Sequence, residues 1–370
     1  MKLYRPGLWD EISRSIKEDK LARSMLFSGP RYSGRLSFAM DLAKELGAKD
    51  VIFFPSRDLA LEIDAAYNML TERYSSRFLS RFLLSVQNVL LEYHPALQSE
   101  SPEGAKDKLF SLAADIADMI YLLNGLDAEK NRDEVLKLSA EIYSKSTKSD
   151  FVYRGRKKGV ISVDEVRAVQ NYLARKSGKC MVIIEDIEDA TEASRNALLK
   201  VLEEPYPDSY FVLISSNAQR ILTTILSRLR KYSFSPLEKS DLNAYLREKF
   251  LTLKDYDSYE DFLFEMSCEK EERSLIAESA ALISKALIEG IYPDSEKLDE
   301  AYLSVEKNPS YFLSLVIKAV RASFSSGALS ASRALRILKA LDGALLMNTV
   351  YNQNIRSALD LALREAVSVG

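Results

Sequence analysis

The chain has 370 residues with 51 basic and 54 acidic side chains, so its formal net charge is -3. This length accommodates two or three domains, and the balanced charge argues against a free-standing nucleic-acid binder with one dominant basic face. Cys180 and Cys268 are its two cysteines, and no CxxC pair exists, which excludes a zinc ribbon and argues against a disulfide framework. With no secretion signal and no long apolar run, the sequence predicts a cytoplasmic chain without a membrane span.

The first elements predicted along the chain form a strand, a glycine-containing loop and a helix. A short helix lies within residues 1–23, and the apolar run SMLFS at 24–28 predicts a strand. A helical pattern, RLSFAMDLAKELG, follows the loop and ends at Gly47. VIFF at 51–54 predicts a second short strand, which Pro55 ends.

The loop between the first strand and helix resembles a phosphate-binding loop. Gly29 and Gly34 have the spacing of the motif GxxxxGK[ST], but Arg35 and Leu36 occupy the Lys and Ser/Thr positions, and Ser37 comes one residue too late. Arg35 keeps a positive charge on a planar fork, whereas Leu36 cannot bind magnesium. Taken alone, the stretch fits a damaged ATP site, a retired one or a chance pair of glycines.

Residues from about 57 to 150 have a different pattern and predict a helical insertion of two to four helices. SESPEG at 99–104 separates two helical patterns as a turn-rich linker. His94, the single histidine, is predicted to have a surface role at a helix end. The apolar positions with helical spacing are Leu79, Phe82, Leu83, Val86, Leu90, Leu109, Leu112, Ile116, Ile120, Leu123, Val135, Leu138 and Ile142.

Alternating strands and helices then return, which predicts an α/β fold with a parallel sheet. CMVIIE at 180–185 and YFVLIS at 210–215 are near-continuous apolar runs, typical of buried parallel strands. The helix between them is predicted to begin with a capping box formed by Asp189 and Glu192. The segment 217–234, NAQRILTTILSRLRKYSF, predicts one helix that runs into a final strand, and the pattern after Pro236 is wholly helical.

The segment 161–237 resembles the clamp-loader branch of the AAA+ proteins, and more narrowly the gamma/tau and delta-prime subunits of bacterial DNA polymerase III. The resemblance rests on ISVDEVR, the apolar strand before an acidic pair, NALLKVLEEP, TTILSRLRKYSF and SPLEKSDL, in the family's order and spacing. NQNIRSALDLAL near the C-terminus is similar to the family's collar helix. The implied organisation is an AAA+-like nucleotide-binding-type domain at 1–235, a helical lid at 236–292 and a helical collar for oligomerisation at 293–370.

The resemblance implies that the chain's own ATP site is degenerate and inactive. The family's acidic pair is Asp then Glu, which order magnesium and the attacking water, whereas this chain has Glu185 then Asp186. Both side chains have the wrong length for those roles, and catalytic placement tolerates little error. We therefore favour an acidic turn that caps a helix, and expect no ATP cofactor, no metal and no zinc, since the family's four-cysteine module is absent. Asn217 occupies the position that senses the γ phosphate in active members.

Ser227 and Arg228 align with the family's Ser-Arg-Cys motif, with Leu229 in place of the Cys. In the family this arginine is a finger that reaches the ATP of a neighbouring subunit, where a guanidinium stabilises the charge of the transition state. The other interpretation is a surface arginine in the run RLRK. The cysteine position of the motif is a packing site, so its replacement by Leu229 leaves the charged residue, Arg228, unchanged.

The predicted function is that of a non-hydrolysing, delta-prime-type subunit of a hetero-oligomeric clamp loader in DNA replication. Its expected partners are gamma/tau and delta subunits and, through the complex, the sliding clamp and primer-template DNA. Two alternatives remain open: an active gamma/tau-like ATPase with unusual residues, and an AAA+-derived adaptor outside replication whose partner binds the insertion. The basic cluster RGRKK at 154–158 fits DNA phosphate contact and a solvated turn equally well.

Overall fold

The structure is a computed structural model, and the chain divides into two compact units, which are Met1–Tyr259 and Glu260–Gly370. The boundaries predicted for the lid and the collar, 236–292 and 293–370, stay a prediction. The predicted linker at 99–104 and the basic cluster at 154–158 lie outside the described residues. The structure describes residues 5–56, 59–98, 105–152, 161–349 and 355–367.

Five parallel strands form one sheet in the first unit, with the order β2-β3-β4-β1-β5. The strands predicted near residues 24, 51, 180, 210 and 231 are all present, so the parallel α/β fold class is confirmed. Their bounds are β1 Ser24–Ser28, β2 Asp50–Phe54, β3 Cys180–Ile184, β4 Ser209–Ser215 and β5 Arg230–Ser233.

The sheet is the core of this unit because its central strands are covered on both faces. Every residue of β3 and β4 is buried, which explains why both read as continuous apolar runs in the sequence. Leu213 of β4 lies in register between Leu26 of β1 and Ile184 of β3. Burying one such side chain stabilises the fold by about 1.5–3 kcal/mol.

The remaining elements of the first unit are helices, some of which pack beside the sheet while others form the insertion. The first helix after β1 ends at Gly47, whose left-handed φ of 66° confirms the predicted stop. Short 3₁₀ turns occupy Leu91–Tyr93, Pro95–Leu97, Ile187–Asp189 and Ala218–Arg220. The α-helices of the first unit are α1 Pro6–Lys17, α2 Arg35–Leu46, α3 Leu59–Glu72, α4 Ser76–Leu90, α5 Ala105–Asn124, α6 Arg132–Ser146, α7 Ser149–Val152, α8 Val163–Arg175, α9 Glu192–Glu203, α10 Thr223–Leu226 and α11 Lys239–Phe250.

The predicted helical insertion is confirmed, and its described residues form four long helices, α3 to α6, with the single turn α7 after them. The predicted periodic positions Phe82, Val86 and Ile116 are fully buried, as the helical period requires. His94 lies between the two 3₁₀ turns, where its Nδ1 accepts a hydrogen bond from the Ala96 N–H at 3.1 Å. The predicted position at a helix end is thus observed, but the side chain is partly buried rather than at the surface, and burial lowers the pKa of His94.

Two local predictions were wrong. The helix α9 begins after Thr191, whose hydroxyl accepts a hydrogen bond from the Ser194 N–H at 3.1 Å, so Asp189 and Glu192 form no capping box. Asp189 instead ends the preceding 3₁₀ turn. A capping box is present at α8, where Ser162 and Glu165 exchange side-chain and backbone hydrogen bonds.

The segment 217–229 is not one helix, because extended backbone at Leu222 (ψ 137°) separates a 3₁₀ turn from the four-residue α10. Ile221 and Ile225 are both buried in the core beside the sheet. Tertiary packing therefore overrides the helical period at this position.

All the regular secondary structure of the second unit's described residues is helical, as predicted for the chain after Pro236. Its core includes Ile283, Phe312 and Val316, which are fully buried. In the predicted collar helix, Ile355, Leu359 and Leu363 are buried at every fourth position, whereas residues 352–354 lie outside the described residues. Its helices are α12 Tyr259–Met266, α13 Lys270–Glu289, α14 Ser295–Lys307, α15 Pro309–Ser325, α16 Ala331–Thr349 and α17 Ile355–Val367.

Candidate functional site

Three polar segments meet at one edge of the sheet, because the carboxyl ends of parallel strands share an edge. The glycine loop, residues 29–34, follows β1, and the acidic pair, Glu185 and Asp186, follows β3. Ser216 and Asn217 follow β4. The fold therefore brings the predicted loop residues and the acidic pair together, as a nucleotide site requires.

Backbone geometry explains both glycines of the loop. Gly29 has φ 155°, and a Cβ at this position would lie 2.0 Å from the carbonyl oxygen of Phe234. Gly34 has the left-handed φ of 85° immediately before α2, and no side chain caps that helix. The close approach to Phe234 requires glycine at position 29, and the positive φ favours glycine at position 34. Both reasons hold whether or not the loop binds a phosphate.

Arg5 holds the loop against the chain that follows β5, and sequence reasoning missed it. Its Nε and Nη2 donate to the carbonyl oxygen of Ser33 at 3.2 and 2.8 Å, and Nη2 also donates to the carbonyl oxygen of Ser235. The guanidinium lies 5.0 Å from the ring centroid of Phe234. Arg5 precedes any motif and is distant from Ser235 in the chain, so no local signal could have identified this contact.

Arg35, which stands at the lysine position of the motif, is buried with 6% exposure. Burial lowers the pKa of Arg35, while the charges of Asp186, Glu185 and Glu188 act in the opposite direction and that of Arg31 adds to the lowering. Its Nη1 is buried and has no hydrogen-bond partner. The Arg35 guanidinium at the start of α2 is therefore enclosed, and nearby carboxylates offset part of the cost of burying its positive charge.

The acidic pair is bonded to the protein's own chain. Asp186 is 5% exposed and has a left-handed φ of 44°. Its Oδ2 accepts a charge-assisted hydrogen bond from Nη2 of Arg31 in the glycine loop at 2.9 Å. The Oε2 of Glu185 accepts from the backbone N–H of Ser56 at 3.2 Å. A cationic side chain thus lies against Asp186, at the water-orienting position of the pair, and a backbone N–H is bonded to Glu185, at the magnesium position.

Glu188 connects the end of β3 to the end of β4 and was also missed by sequence reasoning. Its Oε1 accepts from the Ser216 N–H, the Ser216 hydroxyl and the Asn217 N–H, each at 2.9 Å. The side chain of Asn217 accepts from the Gln219 N–H at 3.2 Å and caps the short turn that follows. These bonds give Asn217 a local structural role at the position predicted to sense phosphate.

Ser227 and Arg228, the finger segment, lie between α10 and β5 next to the end of α9. The Nε and Nη2 of Arg228 donate to Oε2 of Glu203 at 3.3 and 3.0 Å, and Nη1 donates to the carbonyl oxygen of Thr224 at 2.6 Å. The Ser227 hydroxyl donates to the same carbonyl at 3.0 Å. The Arg228 side chain is 28% exposed, so this arginine is held in place at the surface.

Leu229, at the position of the family's cysteine, is 8% exposed and belongs to the core beside the sheet. The finger segment is therefore anchored by the packing of Leu229 in the core and by the hydrogen bonds of Ser227 and Arg228 to the Thr224 carbonyl. Among the described residues, no hydrogen bond or ion pair joins Arg228 to the glycine loop or the acidic pair.

Within the part of the chain that the structure describes, no group of three or more His, Cys, Asp or Glu side chains is arranged to hold a metal ion. None of the described helices combines the length and apolar character that crossing a membrane requires. Burial raises the pKa of the Cys180 thiol to about 11, which keeps this core cysteine in its protonated, unreactive form near neutral pH.

Comparison with known proteins identifies the central segment as clamp-loader-like. Residues 111–238 match the family model described as DNA polymerase III, delta subunit. The DNA polymerase III subunit delta-prime of Haemophilus influenzae is 36% identical over 92 residues, which are 24% of this chain and 28% of that protein. The same subunit of Escherichia coli is 39% identical over 82 residues, which are 21% of this chain and 25% of that protein.

The chain thus matches only about a quarter of the length of these curated relatives. Among solved structures, a DNA polymerase III gamma-subunit-related protein from Thermotoga maritima is similar at 19% identity with a TM-score of 0.32. That similarity covers 62% of this chain and 90% of the other.

Proposed function

We propose that this chain, a relative of the delta-prime-type clamp-loader subunits of DNA polymerase III, is a non-hydrolysing subunit that completes the ATP site of a neighbour. In this role it takes part in loading the sliding clamp on primed DNA, with gamma/tau and delta subunits as its partners. The observation that carries the proposal is the contrast between a glycine-loop region whose arginines, Arg31 and Arg35, lie near the chain's own carboxylates and an arginine, Arg228, held at the surface with donors to spare.

The internal charges of the loop support a silent ATP site. Magnesium in such sites is held through a hydroxyl after the loop and a carboxylate after the third strand. Here Leu36 replaces the hydroxyl, and Glu185, at the magnesium position, accepts from the Ser56 N–H at 3.2 Å. Asp186 beside it is paired with Arg31 at 2.9 Å. A magnesium–ATP complex would have to displace this ion pair without gaining the missing ligand.

The position of Arg228 supports the finger role. A guanidinium that approaches a γ phosphate spreads positive charge over its oxygens as they become more negative in the transition state. Such a residue must be accessible from outside its own subunit yet fixed in direction. Arg228 meets both conditions through its partial exposure and its three hydrogen bonds.

Nucleotide titration of the isolated chain tests the silent site. We expect no magnesium-dependent ATP binding at micromolar concentrations and no turnover, because the hydroxyl ligand is missing and both carboxylates are bonded within the chain. A gamma/tau-type ATPase subunit, measured in parallel, is the positive control. Micromolar, magnesium-dependent binding with turnover by this chain would instead support the active-ATPase alternative.

Co-purification with the organism's other clamp-loader subunits tests the assembly. We expect the chain to enter a stable complex with gamma/tau and delta subunits, and the complex to load the clamp on a primed template. Loading activity should fall when this chain is omitted. A loader that assembles and works fully without it would favour the adaptor alternative.

A further inference from the structure

The carboxylate of Glu203 holds one edge of the Arg228 guanidinium. Its Oε2 accepts from both Nε and Nη2, at 3.3 and 3.0 Å. The Thr224 carbonyl accepts from Nη1 at 2.6 Å. An arginine side chain has five N–H donors, so these three bonds leave one N–H on each of Nη1 and Nη2 without a partner among the residues that the structure describes.

The two remaining donors belong to the two terminal nitrogens of the guanidinium. A planar fork of two terminal N–H groups is the arrangement with which arginine binds two oxygens of one phosphate. Because Glu203 takes the Nε side of the group, it does not compete for this pair. The ion pair is therefore compatible with the arginine acting on a phosphate outside the chain.

Helix stability does not explain a glutamate at this position. Glu203 is the last residue of α9, where the helix dipole disfavours negative charge. Its carboxylate is 59% exposed and pairs with Arg228 at 3.0 Å, and an exposed ion pair of this kind contributes little to stability. The arrangement adds little to the fold, but it orders the Arg228 side chain, which would otherwise lose rotamer entropy on meeting a phosphate.

We propose that Glu203 is a positioning residue that orients Arg228 so that its two free terminal N–H groups face the ATP of the neighbouring subunit. This inference rests on the proposed function, because it requires Arg228 to act on a nucleotide in another chain. Glu203 itself does not touch the nucleotide. Its contribution is that the arginine is already ordered before the neighbour's phosphate arrives.

The test is the steady-state ATPase of the reconstituted loader, measured against ATP concentration for Glu203→Ala, Glu203→Gln, Arg228→Ala and the double variant Glu203→Ala/Arg228→Ala. Glu203→Ala should lower kcat roughly ten- to a hundredfold, the effect of small misplacements of a catalytic group, with KM for ATP unchanged. Glu203→Gln keeps an acceptor oxygen and should restore most of the rate. Glu204→Ala, which removes the adjacent exposed carboxylate, is the matched control and should match the unaltered loader.

The double variant shows whether Glu203 acts through Arg228. If it does, the double variant is no slower than Arg228→Ala alone. A normal rate for Glu203→Ala, or an equal loss with and without Arg228, would overturn the inference while leaving the finger intact. A normal rate for Arg228→Ala would overturn the finger of the proposed function and the inference with it.

Discussion

The glycine loop and the finger segment both carry arginines, but they use them in opposite ways. Arg31 and Arg35 lie within the loop region, where Arg31 pairs with a buried carboxylate and Arg35 is almost fully enclosed. Arg228 is bonded on one edge to its own chain and remains partly exposed. A positive charge enclosed among the chain's own carboxylates contributes to folding, whereas one left with free donors is available to another molecule. Substitutions in the loop should therefore affect stability, and substitutions at the finger should affect the activity of an assembly.

Gly29→Ala should have the largest effect on stability. The new Cβ would lie 2.0 Å from the Phe234 carbonyl oxygen, so the loop or the chain after β5 must shift, at a cost of about 3 kcal/mol or more. Gly47→Ala is the control, because its φ is also positive but nothing lies within 4 Å of the added atom. We expect about 1–2 kcal/mol there from backbone strain alone. Equal losses in urea unfolding would refute the close-approach explanation.

Comparing Arg31→Ala with Arg228→Ala tests whether the loop arginine contributes more to stability than the finger arginine. Arg31→Ala removes the charged partner of Asp186, which is 5% exposed, and leaves a buried acceptor without its hydrogen bond, at a cost of about 1–3 kcal/mol. Arg228→Ala removes a surface ion pair and should cost less than about 1 kcal/mol in the isolated chain. Chemical denaturation of both variants measures the difference. A larger loss for Arg228→Ala would reverse the assignment of the two roles.

His94→Asn tests a smaller, pH-dependent contribution to the free energy of unfolding from a residue outside both the glycine loop and the finger segment. Burial lowers the folded-state pKa of His94 below its usual value near 6.5. The unfolded chain therefore binds more protons as the pH falls below about 6.5, and stability declines with acidification. Asparagine can accept the Ala96 hydrogen bond but does not titrate. Relative to the variant, the unaltered chain should lose at most about 1.4 kcal/mol per pH unit below pH 6.5 and nothing above pH 7.

Because His94 is the single histidine of the chain, the difference between the two proteins isolates its titration. Parallel stability–pH curves from pH 7.5 to 5 would show that this histidine has the same pKa in the folded and unfolded states.

The sequence predicts the sheet and the insertion well because their signals are local. Continuous apolar runs such as residues 210–215 mark buried strands, and the helical period of Phe82 and Val86 marks a buried face. The break at Leu222 could not be predicted, since it depends on how Ile221 and Ile225 pack against the sheet.

The residues of the candidate site likewise fall into those that local sequence signals predict and those that they do not. Gly29, Gly34 and the acidic pair follow from spacing along the chain, and the fold brings them to one edge of the sheet. Arg5, which bonds Ser33 and Ser235, and Glu188, which bonds Ser216 and Asn217, depend on contacts between distant segments. No pattern in a single sequence reports such pairs.

The most direct test of the central claim is the ATPase rate of a loader reconstituted with Arg228→Ala. The account predicts a loss of about a thousandfold or more, with assembly of the complex intact by size-exclusion chromatography. Arg230→Ala removes another arginine of the same run, which pairs with Glu11 at 3.3 Å, and should leave the rate unchanged. A normal rate for Arg228→Ala, or an equal loss for both variants, would contradict the claim that this chain acts through Arg228 on its neighbour's ATP.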